Sequence, residues 1–181
     1  DDEARFGGAV DLARALPFFV DDTPLVSIGR IRTQLRQLKR TAGPPGFVVV
    51  DYLQLMEGER RRNDNRSTEV GQLSRHLKIL AREFECPVIA LSQINRKVEV
   101  RPPAERKPMV SDLAESGRLE QDADIVLLVH RPEEYDRNDP QWRGKMEIIV
   151  GKARNGQTGS AILGWRGIHQ HLRFTECSYI W

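Results

Sequence analysis

Two apolar runs in this chain end on polar side chains suited to handling a nucleotide. Phe47-Val48-Val49-Val50 delivers Asp51, and Pro87-Val88-Ile89-Ala90-Leu91 delivers Ser92 and Gln93. Ligands bind at the carboxyl edge of open parallel sheets, where an aspartate can hold the magnesium of a nucleotide through its water shell. A glutamine at a neighbouring strand end can touch the terminal phosphate or an attacking water and report its loss. Both have plainer readings, since aspartate starts turns after strands and a Ser-Gln pair can bond loop backbone. In Gly151-Lys152-Ala153-Arg154-Asn155-Gly156, strand alternation sets Lys152 and Arg154 on one face, and the plain reading of both is a solvated strand end. A phosphate-cradling loop needs Gly-rich backbone amides and a lysine followed by serine or threonine; none of the six lysines is so followed.

Positioning these residues requires strands that end near one another. Apolar, branched-rich runs at residues 17–20, 47–50, 87–91, 125–129 and 148–150 have the pattern of buried strands. Between the first two, Ile28, Ile31, Leu35 and Leu38 recur at helical spacing behind Ser27, a good N-cap. Between the next two, Val70, Leu73, Leu77, Leu80 and Phe84 repeat the pattern, with Ser67 or Thr68 as a start and Glu69 in the first turn. This alternation predicts an α/β fold with a mainly parallel sheet flanked by helices. Residues 146–165 resemble strands joined at Asn155-Gly156, so a C-terminal antiparallel hairpin is expected. Residues 57–66 and 95–108, rich in charge, glycine or proline, are expected to be mobile surface loops.

The composition narrows the class. A chain of 181 residues with 39% hydrophobic and 30% charged residues suits one globular domain and excludes a disordered chain. No apolar run approaches the roughly 20 residues that span a bilayer, and Asp1-Asp2-Glu3 is unlike a secretory signal, so a cytoplasmic location without membrane contact is expected. Cys86 and Cys177 have no zinc-ligand spacing and give no disulfide framework. A net charge of +2 is too small to establish a nucleic-acid partner, but 22 of the 28 basic residues are arginine, suited to bidentate phosphate contact. Codon bias would give the same enrichment.

Taken in order, residues 47–56, residues 87–94, Ser111-Asp112-Leu113-Ala114-Glu115-Ser116-Gly117-Arg118-Leu119-Glu120-Gln121-Asp122-Ala123-Asp124 and residues 151–156 closely resemble the motifs of DnaB-type replicative helicases. The resemblance runs over about residues 16–174, and Asp51-Tyr52-Leu53-Gln54-Leu55-Met56 and Glu120-Gln121-Asp122-Ala123-Asp124 are individually specific to that family. It implies the carboxy-terminal RecA-like motor domain, with ATP and magnesium as cofactors. Asp51 matches the Walker B aspartate and so the metal site. Gln93 matches the glutamine that couples nucleotide state to the DNA-binding loops. Lys152 and Arg154 match a pair that reaches into the neighbouring subunit's ATP site, the arginine acting as a finger on the transferring phosphate. The segment from Ser111 to Gly117 resembles the loop that grips single-stranded DNA. Glu115 and Gly117 match, but Ala114 stands where the usual arginine would, and Arg118 at i+4 either compensates or is an ordinary surface arginine.

The larger departure is the absent Walker A motif. In the family it lies upstream of the region matching Asp1, with the catalytic glutamate, the linker helix and the amino-terminal domain. Glu3 matches no motif and is not assigned the role of the missing base. Residues 1–181 are therefore expected to be a partial RecA-like ATPase domain, from one strand-helix unit before the Walker B strand onward, with no second domain. Lacking the Walker A strand beside the strand that ends at Gln93, it should present unpaired strand edges. The implied function is that of a fragment of a hexameric helicase coupling ATP hydrolysis to 5′–3′ translocation on single-stranded DNA and duplex unwinding. The isolated chain is expected to be inactive. Implied partners are single-stranded DNA, identical subunits, a helicase loader and primase. Two alternatives stand beside it: a non-catalytic helicase-like module that binds DNA or helicase subunits, and a RecA-class ATPase with another task.

Overall fold

The computed structural model describes residues 2–58, 66–102, 105–113, 117–166, 171–173 and 179–180. Helix α1 spans Asp2–Ala15 and is mostly exposed. Helix α2, Ile28–Thr41, starts where its cap predicts: the Ser27 hydroxyl accepts the Arg30 amide at 3.3 Å, and Ile28 and Leu35 are buried. Helix α3, Arg66–Phe84, buries Val70, Leu73, Leu77, Leu80 and Phe84, the apolar stripe legible in the sequence. Both helices cover strands β1, Val48–Val50, and β2, Val88–Ala90. These strands pair in parallel, Val48 opposite Val88, because α3 carries the chain back over the sheet between them.

The remaining strands form an antiparallel sheet: β3, Ile125–His130; β4, Lys145–Ala153; β5, Gly159–Arg166; β6, His171–Arg173; and β7, Tyr179–Ile180. Their order is β3-β4-β5-β6, with β7 also pairing with β5. The expected hairpin is β4–β5, with Asn155 and Gly156 in its connection. Strand β3 joins this sheet and not the parallel pair. Only a short helical turn, Pro132–Glu134, is described between β3 and β4, and without a crossover helix the chain returns antiparallel.

Three expectations differ from the structure. Residues 17–20 pair with no strand among the described residues, and Phe18, Phe19 and Val20 are exposed; an apolar run becomes a strand only beside a partner backbone. The described parallel pairing is thus β1 with β2. In the expected loop 95–108, Val98 is buried, Arg101 pairs with Asp112 and Lys107 with Glu147, so its described part is pinned to the fold. Arg101 and Lys107 have carboxylate partners, while Arg96, Lys97, Glu99 and Glu105 are exposed. Residues 59–65 of the other expected loop lie outside the described residues, and α3 is described from Arg66, so Ser67 and Thr68 fall within the helix.

One irregularity governs the later strands. Val126 pairs with Lys152 and Leu127 with Val150, leaving Gly151 as an extra residue in β4. A bulge of this kind reverses the alternation beyond it. Lys152 therefore shares the face of Val126, Leu128 and His130, the buried face of β3, which uninterrupted alternation would deny it.

Candidate ATP and DNA site

The parallel pair brings Asp51 and Gln93 to one edge. Asp51 is exposed just beyond β1, and its peptide bond to Tyr52 is cis. The two strand ends are laced together: the Leu91 amide donates to Val50 O and the Leu53 amide to Leu91 O, each at 2.9 Å. Gln54 from the short turn Leu53–Leu55 donates to the Ser92 hydroxyl at 3.0 Å and accepts the Gln93 amide at 3.4 Å. Asp51 and the exposed Gln93 thus stand at the carboxyl edge where a nucleotide's metal and terminal phosphate would meet protein. An exposed carboxylate at that edge fits an outer-sphere magnesium contact, but a phosphate cradle requires the Lys-Ser or Lys-Thr pair that the sequence lacks.

Immediately after Gln93 the chain is fastened to the DNA-loop candidate. Ile94 and Leu113 form an antiparallel bridge, and the Asn95 amide donates to Asp112 O at 2.7 Å. Arg101 grips both carboxylate oxygens of Asp112, which is 5% exposed, and the Met109 amide donates to the same group at 2.8 Å. The Arg101 guanidinium holds the Asp112 carboxyl below its ordinary range, with burial opposing and the Met109 amide assisting. Glu115 lies outside the described residues, together with Ala114 and Ser116. Gly117 opens helix α4, Gly117–Asp122, and faces open space. Arg118, also exposed, lies over Gly71 of α3: a Cβ built on that glycine would stand 2.6 Å from Arg118 Cδ. Its stem is therefore drawn towards α3.

Lys152 and Arg154 gather at the segment before β3. Lys152 Nζ donates to the carbonyls of Glu120 and Gln121 at the end of α4. Arg154 donates from Nη1 to Asp124 Oδ1 at 2.9 Å and from its backbone amide to Asp124 O at 2.8 Å. Lys78 of α3 donates to the same carboxylate oxygen at 2.8 Å and to Asp122 O at 2.7 Å. The Lys78 ammonium, reinforced by Arg154 and Arg82 against partial burial, keeps the Asp124 carboxyl below its ordinary range. Among the described residues no hydrogen bond or ion pair joins Asp51 or Gln93 to Lys152 or Arg154.

The model of the DnaB-like helicase C terminal domain family matches residues 1–176. The chain belongs to that family. Among its relatives is the replicative DNA helicase DnaB of Mycobacterium leprae, 45% identical over 97% of this chain and 28% of the relative. Another is replicative DNA helicase DnaB of Geobacillus stearothermophilus, 47% identical over 87% of this chain and 34% of the relative. A solved DnaB-like replicative helicase, described with its interactions with primase, superposes with a TM-score of 0.87 at 36% identity, covering 97% of this chain and 42% of that one. The chain thus spans about a third of the length of these curated relatives. The family's RecA-like ATPase fold agrees with the α/β class expected from the motifs. Sequence reasoning missed Lys78, Asp124, Arg101 and Asp112 as site residues; Asp112 and Asp124 stand inside the quoted motifs, while nothing local marks Lys78 or Arg101.

Proposed function

We propose that residues 1–181 are a partial ATPase domain from a hexameric replicative helicase that couples ATP hydrolysis to 5′–3′ movement on single-stranded DNA and to duplex unwinding. The observation that carries this reading is the separation of two half-sites. Asp51 and Gln93 occupy one sheet edge, while Lys152 and Arg154 stand at the end of another sheet, with no hydrogen bond or ion pair to the first pair among the described residues. Such an arrangement suits a pair that completes the site of an adjacent identical subunit. Magnesium bound to ATP would neutralise the charge of the phosphates; Asp51 would hold it through water, and Gln93 would respond to the terminal phosphate. The ties of Asn95 and Ile94 to Asp112 and Leu113 give that response a short path to Glu115, Gly117 and Arg118, the residues we assign to DNA. A helicase loader and primase are the further partners, and the cytoplasm is the location, in keeping with the family; among the described residues no helix is long and apolar enough to cross a membrane.

The test is Arg154→Ala in a full-length ring. A finger acting on the transferring phosphate is worth about 10³ to 10⁵ in rate. The variant should lose hydrolysis by such a factor while nucleotide affinity stays within several-fold. Mixed with subunits mutated in the phosphate-cradling lysine, it should recover single-interface hydrolysis. Hydrolysis at the parent rate would leave Arg154 as a solvated strand-end residue and remove the motor assignment.

A further inference from the structure

The segment Glu120-Gln121-Asp122-Ala123-Asp124 marks the family in sequence, yet the half-sites above assign it no task. The structure places it beneath both cations of the outgoing pair. Lys152 is held by two of its backbone carbonyls, and Arg154 by its last side chain. Asp124 directly precedes β3, Arg154 directly follows β4, and the adjoining residues Ile125 and Ala153 are cross-strand partners. Backbone and side chain of Arg154 are therefore tied to one residue, which fixes the start of its side chain and one nitrogen of its head.

We propose that Asp124, itself held by Lys78, is the positioning residue that aims Arg154 at the neighbouring subunit's ATP; this rests on the motor reading of Arg154. The contact is monodentate. It occupies one of the five N–H donors of the guanidinium and leaves the others to grip phosphate oxygens. The pair is also half exposed, 50% for Arg154 and 59% for Asp124, so it is too weak to lock the arginine away but sufficient to bias its rotamers. Lys78, 21% exposed and anchored on Asp122 O as well, keeps the carboxylate from following the arginine. With Lys78 already holding the carboxylate, the exposed half of Arg154 keeps its charge for an incoming polyphosphate.

The experiment uses the full-length hexameric helicase carrying this domain, with single-interface ATP hydrolysis resolved into kcat and KM. Asp124→Ala should lower kcat by between about tenfold and a hundredfold, the cost of a misplaced group, with KM within twofold. Asp124→Glu should recover part of the rate. The double variant Asp124→Ala with Arg154→Ala should be no slower than Arg154→Ala alone, because both lesions remove one interaction. Additive losses would place Asp124 in some other role, and an unchanged or raised kcat for Asp124→Ala would show that it does not aim the arginine; either overturns the proposal while the motor reading stands. Parent-rate hydrolysis by Arg154→Ala would instead remove the motor reading, and the proposal with it. Should Asp124→Ala fail to assemble, the near-isosteric Asp124→Asn is judged by the same outcomes.

Discussion

Lys107, Glu147 and His130 meet where the pinned loop crosses the antiparallel sheet. Glu147, 3% exposed, is the cross-strand partner of His130 and accepts Lys107 Nζ at 2.8 Å. Burial works to raise the Glu147 carboxyl, but Lys107 and the Ser160 hydroxyl outweigh it and hold the group below its ordinary 4.5. Burial pushes His130 below its ordinary 6.5, against the pull of Glu147. In both cases the unfolded chain takes up its proton first as pH falls, so acid destabilises the sheet. His130 stabilises least below its folded value and begins to lose ground near 6.5; Glu147 contributes fully above 4.5 and is lost as pH falls through its folded value. Hydrogen-exchange protection of β3 and β4, corrected for intrinsic exchange, should therefore decline below about pH 6.5. His130→Gln should remove the first part of that decline, and Lys107→Met should move the second part to higher pH. Protection that ignores pH across this range would contradict both assignments. At this scale the positions of Asp51, Gln93, Lys152 and Arg154 were legible because each stands at or near the end of a recognisable strand. Lys78 and Arg101 were not, because an ordinary surface cation and one that holds an aspartate differ only in which distant residue arrives beside them.

The helices and strands owe their legibility to periodicity. In α3 the stripe from Val70 to Phe84 predicted the buried face, and Leu80 is 0% exposed within the cluster of Leu35, Phe84 and Cys86. Leu80→Ala should cost about 2 to 5 kcal/mol, read from denaturant unfolding, the range for a buried leucine that leaves a cavity. A loss below about 1 kcal/mol would mean that α3 relaxes into the gap. Residues 17–20 misled because an apolar run does not carry its pairing partner with it, and residues 95–108 because prolines and charges resemble a solvated loop until Val98 is seen to be buried and Arg101 and Lys107 to be tied to buried carboxylates. The bulge was invisible too: alternation counted along the sequence puts Lys152 and Arg154 together, but not on the face that the extra residue at Gly151 gives Lys152.

At the scale of the chain, the described residues form two sheets whose outer strands have one described neighbour each. Ile89 on β2 and Leu91 just beyond it are exposed, as are Ile125, Leu127 and Val129 on β3, which has β4 as its one described neighbour. Open apolar edges recruit further strands, so the 181-residue chain alone should associate with concentration in light scattering. It should also show neither micromolar ATP binding nor turnover, since the Asp51 edge can hold a metal but not the phosphates. Turnover free of contaminating ATPases would refute that expectation. Strand β4, which carries the proposed finger, and the turn that leads into the candidate DNA loop meet at the bulge: a Cβ built on Gly151 would stand 2.6 Å from Val110 Cγ2 and 3.3 Å from Leu128 Cδ1. A methyl group at position 151 therefore requires the Val110 side chain to shift or to shrink. In a library varying both sites, survivors with alanine at 151 should carry alanine or glycine at 110, and Gly151→Ala with Val110 retained should disturb DNA binding even though neither side chain is assigned to DNA. Nucleotide contact and DNA contact would then be constrained to change together in descent, bound by the want of room for a single carbon atom.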